Sequence, residues 1–151
     1  MKRLIALTTC CLLAFTLLTV HAEDAKKTKK AGPKCPVSGQ PIDKEHKVVH
    51  NGGEVYFCCP KCPPVFEKNP DKFAAKANHQ LVQTKQAKQV KCPLTGGPTK
   101  DDKVVKVAGV KVNFCCGNCL AKADGLKGAK RMKLLFNDEA FKKGFKVSDA
   151  K

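Results

Sequence analysis

The chain has 151 residues, of which 29 are Lys or Arg and 13 are Asp or Glu, giving a formal net charge of +16; it also has ten Cys and no Trp. So basic a balance suggests nucleic-acid binding, but two features argue against it. Arg3 and Arg131 are the only arginines, arginine being the usual reader of bases, and the few aromatics are not interleaved with the lysines as a stacking platform needs. A solvated lysine coat is expected instead, able to draw the protein to anionic cell-surface polymers over long range.

Residues 1–22, MKRLIALTTCCLLAFTLLTVHA, read as a secretory signal peptide: Lys2 and Arg3 lead an apolar run, and Val20-His21-Ala22 fits a small-x-small cleavage site. The 17-residue run from Leu4 to Val20 is near the lower limit of a membrane span, and its four Thr weaken the anchor reading. Cleavage after Ala22 would discard Cys10, Cys11 and His21. It would leave 27 basic against 13 acidic residues, and a chain without a second apolar run that is not expected to insert stably in a membrane. The expected location is secreted or periplasmic. Residues 23–33 are polar, Lys-rich and without period, and read as a flexible leader.

Two segments then align without a gap, KCPVSGQPIDKEHKVVHNGGEVYFCCPKC (34–62) and KCPLTGGPTKDDKVVKVAGVKVNFCCGNC (91–119), with 12 of 29 positions identical. A duplicated supersecondary unit accounts for this. Each copy opens on a Cys-Pro-x-Ser/Thr-Gly turn. A β-hairpin follows, turning at Asn51-Gly52 in the first copy, a pair suited to a type I′ turn. In the second copy Ala108-Gly109 stands there, and Ala fits that corner poorly, so a different turn type is expected.

Helix is expected after the last cysteine of each copy. In the first, Pro63 and Pro64 suit a first helical turn and Asn69 reads as a new N-cap before Pro70, with Phe66, Phe73 and Leu81 facing the hairpin. Residues 81–90 read as a linker. In the second, 120–136 has helical period weakened by Gly125 and Gly128, and Asn137 should cap a last helix with Phe141 and Phe145 on one face. The predicted organisation is α+β: two tandem turn–hairpin–helix units, 34–80 and 91–147. Units of about 50 residues are marginal for a core of their own, so a staple is expected at the cysteines.

In each copy 22 residues separate the first cysteine from the second, and three separate the second from the last, with a further cysteine directly after the second. Cys35, Cys58, Cys59 and Cys62, and likewise Cys92, Cys115, Cys116 and Cys119, are therefore the candidate metal ligands. A turn that gathers thiolates, with another supplied from a distant turn, is how small zinc modules assemble four ligands. This pattern, with CPVSG ahead and YFCCPKC behind, resembles the TRASH domain and is similar to the related YHS domain. The resemblance implies treble-clef-like or zinc-ribbon-like units that bind zinc or handle heavy metals such as copper. It implies a role for Cys35, Cys58 and Cys62, and for Cys92, Cys115 and Cys119. Cys59 and Cys116 are additional to it, and Ser38 and Thr95 stand where YHS domains carry a cysteine.

The expected function is therefore an exported, non-enzymatic metal-binding protein with zinc, or alternatively copper(I), in two four-cysteine sites. It would staple the fold, buffer metal or pass it to a metal-handling partner protein. A disulfide-stapled binding module without metal is the alternative. A thiol–disulfide oxidoreductase using the Cys59-x-x-Cys62 spacing is a third reading. His46, His50 and His79, all in the first copy, read as surface residues. If both copies bind alike, Cys59 and Cys116 are the fourth ligands, provided the backbone turns between each adjacent pair.

Overall fold

The computed structural model describes residues 32–148, so residues 1–22, expected as a signal peptide, with Cys10, Cys11 and His21, and most of the expected leader lie outside the described residues. The first unit runs β1 (Asp43–His50), β2 (Gly53–Phe57), α1 (Cys62–Lys68) and α2 (Pro70–Gln83). A short strand β3 (Ala87–Gln89) leads to the second: β4 (Lys100–Val107), β5 (Val110–Phe114), α3 (Gly117–Asp124), α4 (Gly128–Phe136), α5 (Asp138–Gly144) and β6 (Phe145–Val147). The described residues are thus α+β, with three two-stranded antiparallel sheets, β1–β2, β4–β5 and β3–β6. None of the described helices is long and apolar enough to cross a membrane.

The repeat holds down to irregularities. In both hairpins the register slips at the same place, between Asp43 and Lys47 and between Lys100 and Val104. Both corners have two consecutive left-handed residues, Asn51 (φ 49°) with Gly52 (84°) and Ala108 (43°) with Gly109 (90°). The expected difference in turn type is therefore absent. α2 holds the second corner in place: the His79 ring nitrogen Nε2 bonds the Val107 carbonyl at 2.9 Å and Gln83 Nε2 donates to the Ala108 carbonyl at 2.9 Å. The left-handed conformation costs a non-glycine residue about 1 kcal/mol or more, and Asn bears it better than Ala. Ala108→Asn is expected to raise stability by about 1 kcal/mol, read as a higher thermal midpoint.

Phe66, Phe73 and Leu81 are buried as expected, and Asn137 caps α5 through Oδ1, which accepts from the Ala140 N–H at 2.9 Å. Asn69 occupies the cap position of α2 without a side-chain cap bond. The stretch 120–136 is split into α3 and α4 around Gly125, where the Arg131 guanidinium donates to the carbonyls of Asp124 and Leu126. Phe145 does not continue α5. It turns extended into β6, and its ring stacks on Phe141 with centroids 5.4 Å apart. Residues 81–90, expected as a linker, carry the last turn of α2 and strand β3, which pairs with β6 from Ala87↔Val147 to Gln89↔Phe145.

Apolar side chains of both units form one continuous cluster that includes Phe57, Phe66, Leu81, Phe114, Leu135, Phe136 and Phe141. α2 lies at its centre, packing on α4 and α5 as well as on β2.

Candidate metal centres

Each site begins with a knuckle. The Cys35 N–H donates to the Gln40 carbonyl and the Gly39 N–H returns to the Cys35 carbonyl, both at 2.8 Å; Cys92 with Gly97 and Gly96 repeats the pattern at 2.9 and 2.8 Å. Gly39 (φ 77°) and Gly96 (φ 78°) allow this tight return. The hairpin brings the other cysteines back: β2 and β5 end at Phe57 and Phe114, fully buried rings that anchor the strand ends. The backbone bends at the next two residues, Cys58-Cys59 and Cys115-Cys116, before the helices begin.

That bend gathers the sulfurs. The Sγ atoms of Cys35, Cys58 and Cys62 all lie within 4.8 Å of one another, as do those of Cys92, Cys115 and Cys119, and each set can hold a metal ion. Cys58 and Cys62 are 3.7 Å apart, and Cys115 and Cys119 also 3.7 Å. A tetrahedral zinc with Zn–S bonds near 2.3 Å sets its sulfurs about 3.8 Å apart, whereas a disulfide needs about 2.05 Å. Cys59 stands against one edge of its triangle, 3.8 Å from Cys58 and 3.6 Å from Cys62, but outside the set that includes Cys35. Cys116 likewise lies outside its set, beside Cys119 and Cys115. Neither histidines nor carboxylates join either group among the described residues.

The electrostatics suit thiolates. Burial opposes ionisation of Cys35, yet the Ser38 hydroxyl and the backbone N–H groups of Ser38, Cys58 and Val37 hold its thiol down at about 7. Cys92 is also held at about 7, with Thr95 in place of Ser38. Cys59 is lowered by the Cys62 thiol and the Lys61 N–H, and Cys116 by the backbone N–H and thiol of Cys119 at the start of α3. Cys62 is pushed strongly up and Cys119 up to about 12, first by burial and then by the bonds they share with neighbouring sulfurs. Sulfurs this close cannot all ionise beside one another unless a cation neutralises them.

Sequence reasoning gave no role to Ser38 and Thr95. Their hydroxyls lie 3.1 Å from Cys58 Sγ and 3.2 Å from Cys115 Sγ, so each hydroxyl stands over the sulfur that leads its pair. The signal was present, since a hydroxyl residue recurs at one position of both copies.

The histidine expectation fails for two of three. His79 is only 5 % exposed, with its ring edge-on to Phe136 at 4.9 Å, and His50 is half-buried against Phe66, Asn51 and Asp138. Contact between the units buries both, and neither reaches a cysteine cluster. Next to His79, fully buried Asn78 donates to the Phe136 carbonyl at 2.9 Å and to Asp138 Oδ1 at 2.7 Å, and accepts from Asn51 Nδ2 at 2.9 Å.

Burial lowers the His79 pKa below its ordinary value of 6.5. Below about pH 6.5 the unfolded chain therefore takes up a proton that the folded chain refuses, and stability falls as the pH drops. Replacing His79 by Gln is expected to make the loss of stability between pH 7 and 5 shallower than in the parent, measured by denaturant unfolding.

Fold and sites together define a cysteine-rich α+β protein with two candidate metal centres at equivalent places of an internal repeat. No family model, no curated protein and no solved structure matches the chain.

Proposed function

We propose that this is an exported, non-enzymatic metal-binding protein made of two tandem TRASH- or YHS-like units, each holding one soft metal ion. The observation that carries the reading is the pair of three-sulfur clusters, each closed within 4.8 Å and built from matching positions of the repeat. The knuckle–hairpin–helix order of each unit, with its last cysteine in the first turn of a helix or close to it, supports a treble-clef-like site. Zinc is the metal of first choice, because thiolates in a tetrahedral spacing suit it. Copper(I) is the alternative, because three soft thiolates suffice for it. The role is to hold metal for the fold, to buffer it or to pass it to a metal-handling partner. The lysine coat supports attraction to anionic cell-surface polymers.

Elemental analysis and native intact mass of the exported protein test this. Two metal equivalents per chain are expected. One equivalent would sink the two-site reading, and no metal together with the mass deficit of disulfides would favour the stapled-module reading. The fourth ligand separates zinc from copper. With Cys59 and Cys116 completing the sets, Cys116→Ser should weaken zinc binding in the second unit by more than the roughly tenfold expected for loss of a mere supporting group. His50→Ala should leave the first unit's zinc affinity unchanged. Full zinc affinity in Cys116→Ser would point to a three-thiolate site of the copper(I) type.

A further inference from the structure

Each cluster is assembled from two stretches of chain distant in sequence: the knuckle with the first cysteine, and the strand end and helix start with the others. In the first unit one side chain joins them. Gln80 of α2 is 1 % exposed. Its Oε1 accepts from the Tyr56 N–H at 2.7 Å, and its Nε2 donates to the Tyr56 carbonyl at 2.8 Å and the Lys34 carbonyl at 2.9 Å. Lys34 directly precedes Cys35, and Tyr56 is two residues before Cys58.

The second unit has the same arrangement with a different support. Gln89 of β3 accepts from the Asn113 N–H at 2.9 Å and donates to the Asn113 carbonyl at 2.7 Å and the Lys91 carbonyl at 3.0 Å. Lys91 and Asn113 are the repeat equivalents of Lys34 and Tyr56, each 57 positions on. Gln80 and Gln89 are not equivalent to each other: the position 57 after Gln80 is Asn137, the cap of α5, and the position 57 before Gln89 is Gly32. Copying one unit into two therefore does not explain the match. A helix residue and a strand residue supply the same amide to the same three backbone atoms. Only a primary amide offers one acceptor and two donors there; a carboxylate would meet two carbonyls with no proton to give.

We propose that Gln80 and Gln89 are the positioning residues of the two metal sites, each fixing the knuckle of the first cysteine against the strand that delivers the second. The assignment rests on the metal-binding reading above. It is tested on the full mature chain loaded with zinc and challenged with excess chelator and a thiol-alkylating reagent, with peptide mass spectrometry following each cysteine. Gln80→Met keeps the volume and removes the amide. It should make Cys35, Cys58 and Cys62 react on the order of tenfold faster, with Cys92, Cys115 and Cys119 at the parent rate. Gln89→Met should do the reverse.

A general loss of stability would speed both clusters together, because they share one core, and that result would overturn the assignment. Parent rates at both clusters in both variants would overturn it too. If circular dichroism shows Gln80→Met unfolded, the Gln89→Met arm decides, since Gln89 is only half-buried. A parent chain that takes up neither zinc nor copper(I) overturns the metal reading itself. A parent that takes up two equivalents, with variants indistinguishable from it, overturns only the role of the glutamines.

Discussion

On the proposed metal-binding reading, withdrawing metal from the loaded protein at neutral pH, with its thiols kept reduced, is expected to melt it in one transition. Cys35, Cys62, Cys92 and Cys119 are themselves buried members of the apolar cluster, with Cys58, Cys59, Cys115 and Cys116 half-buried against it, so each site is built into the edge of the core. Removing the cation leaves sulfurs under 4 Å apart that must repel or take up protons, in positions where burial already penalises charge. Structural zinc contributes about 10–16 kcal/mol of apparent binding free energy at neutral pH, while a whole domain is stable by only about 5–15 kcal/mol. Loss of even one ion is therefore on the scale of the entire fold.

The transition should be single because the units are not separable. Asn78, His79 and Gln80 are consecutive residues of α2, and they bond the start of α5, the second hairpin corner and the first knuckle in turn. Circular dichroism during a chelator titration, with released metal followed in parallel, checks this. Two separated steps would mean independent units. An unchanged spectrum after full metal removal would mean that the core holds without its staples.

Much of the site was legible in the sequence because its parts repeat. Cysteines, knuckle glycines and the Phe before each cysteine pair recur at fixed spacing, and the hairpins follow from alternation around a Gly-containing corner. Even the bend needed to bring Cys58 and Cys59 to one side is present, with their sulfurs 3.8 Å apart. What was not legible lies between the copies. β3 and β6 are three residues each, too short for alternation to show, and they pair across the intervening residues 90–144, which include the whole second hairpin. α2 reads as a helix with one apolar face toward its own hairpin. Its polar residues Asn78, His79 and Gln80 look like a solvated face. Their burial is possible because each finds partners, Asn78 and His79 on the second unit and Gln80 on Lys34 and Tyr56 of its own. A period in one element carries no record of such partners.

Gly144→Ala is expected to be among the most damaging single substitutions and to strike the second site first. A Cβ built on Gly144 would stand 2.7 Å from Pro93 Cα and 3.0 Å from Pro93 N and Cβ, distances at which backbone must move. The carbonyl of the same residue accepts from the Val90 N–H at 2.9 Å and the Lys91 N–H at 3.0 Å. The end of α5 is thus pressed against the Lys91-Cys92-Pro93 knuckle, with no room for a methyl group. Overpacking of this kind costs about 3 kcal/mol when a buried site cannot relax. Relaxation here means lifting the C-terminal segment, and with it β6, from the knuckle that carries Cys92. The expected result is a lower denaturation midpoint together with, on the proposed metal-binding reading, faster metal loss at Cys92, Cys115 and Cys119 than at the first cluster. Gly117→Ala is the control: a Cβ there meets nothing within 4 Å, and the residue begins α3. Its effect should stay within about 0.5 kcal/mol or favour the folded state. Equal damage from both substitutions would show that glycine content, rather than the contact with Pro93, sets the stability of the second unit.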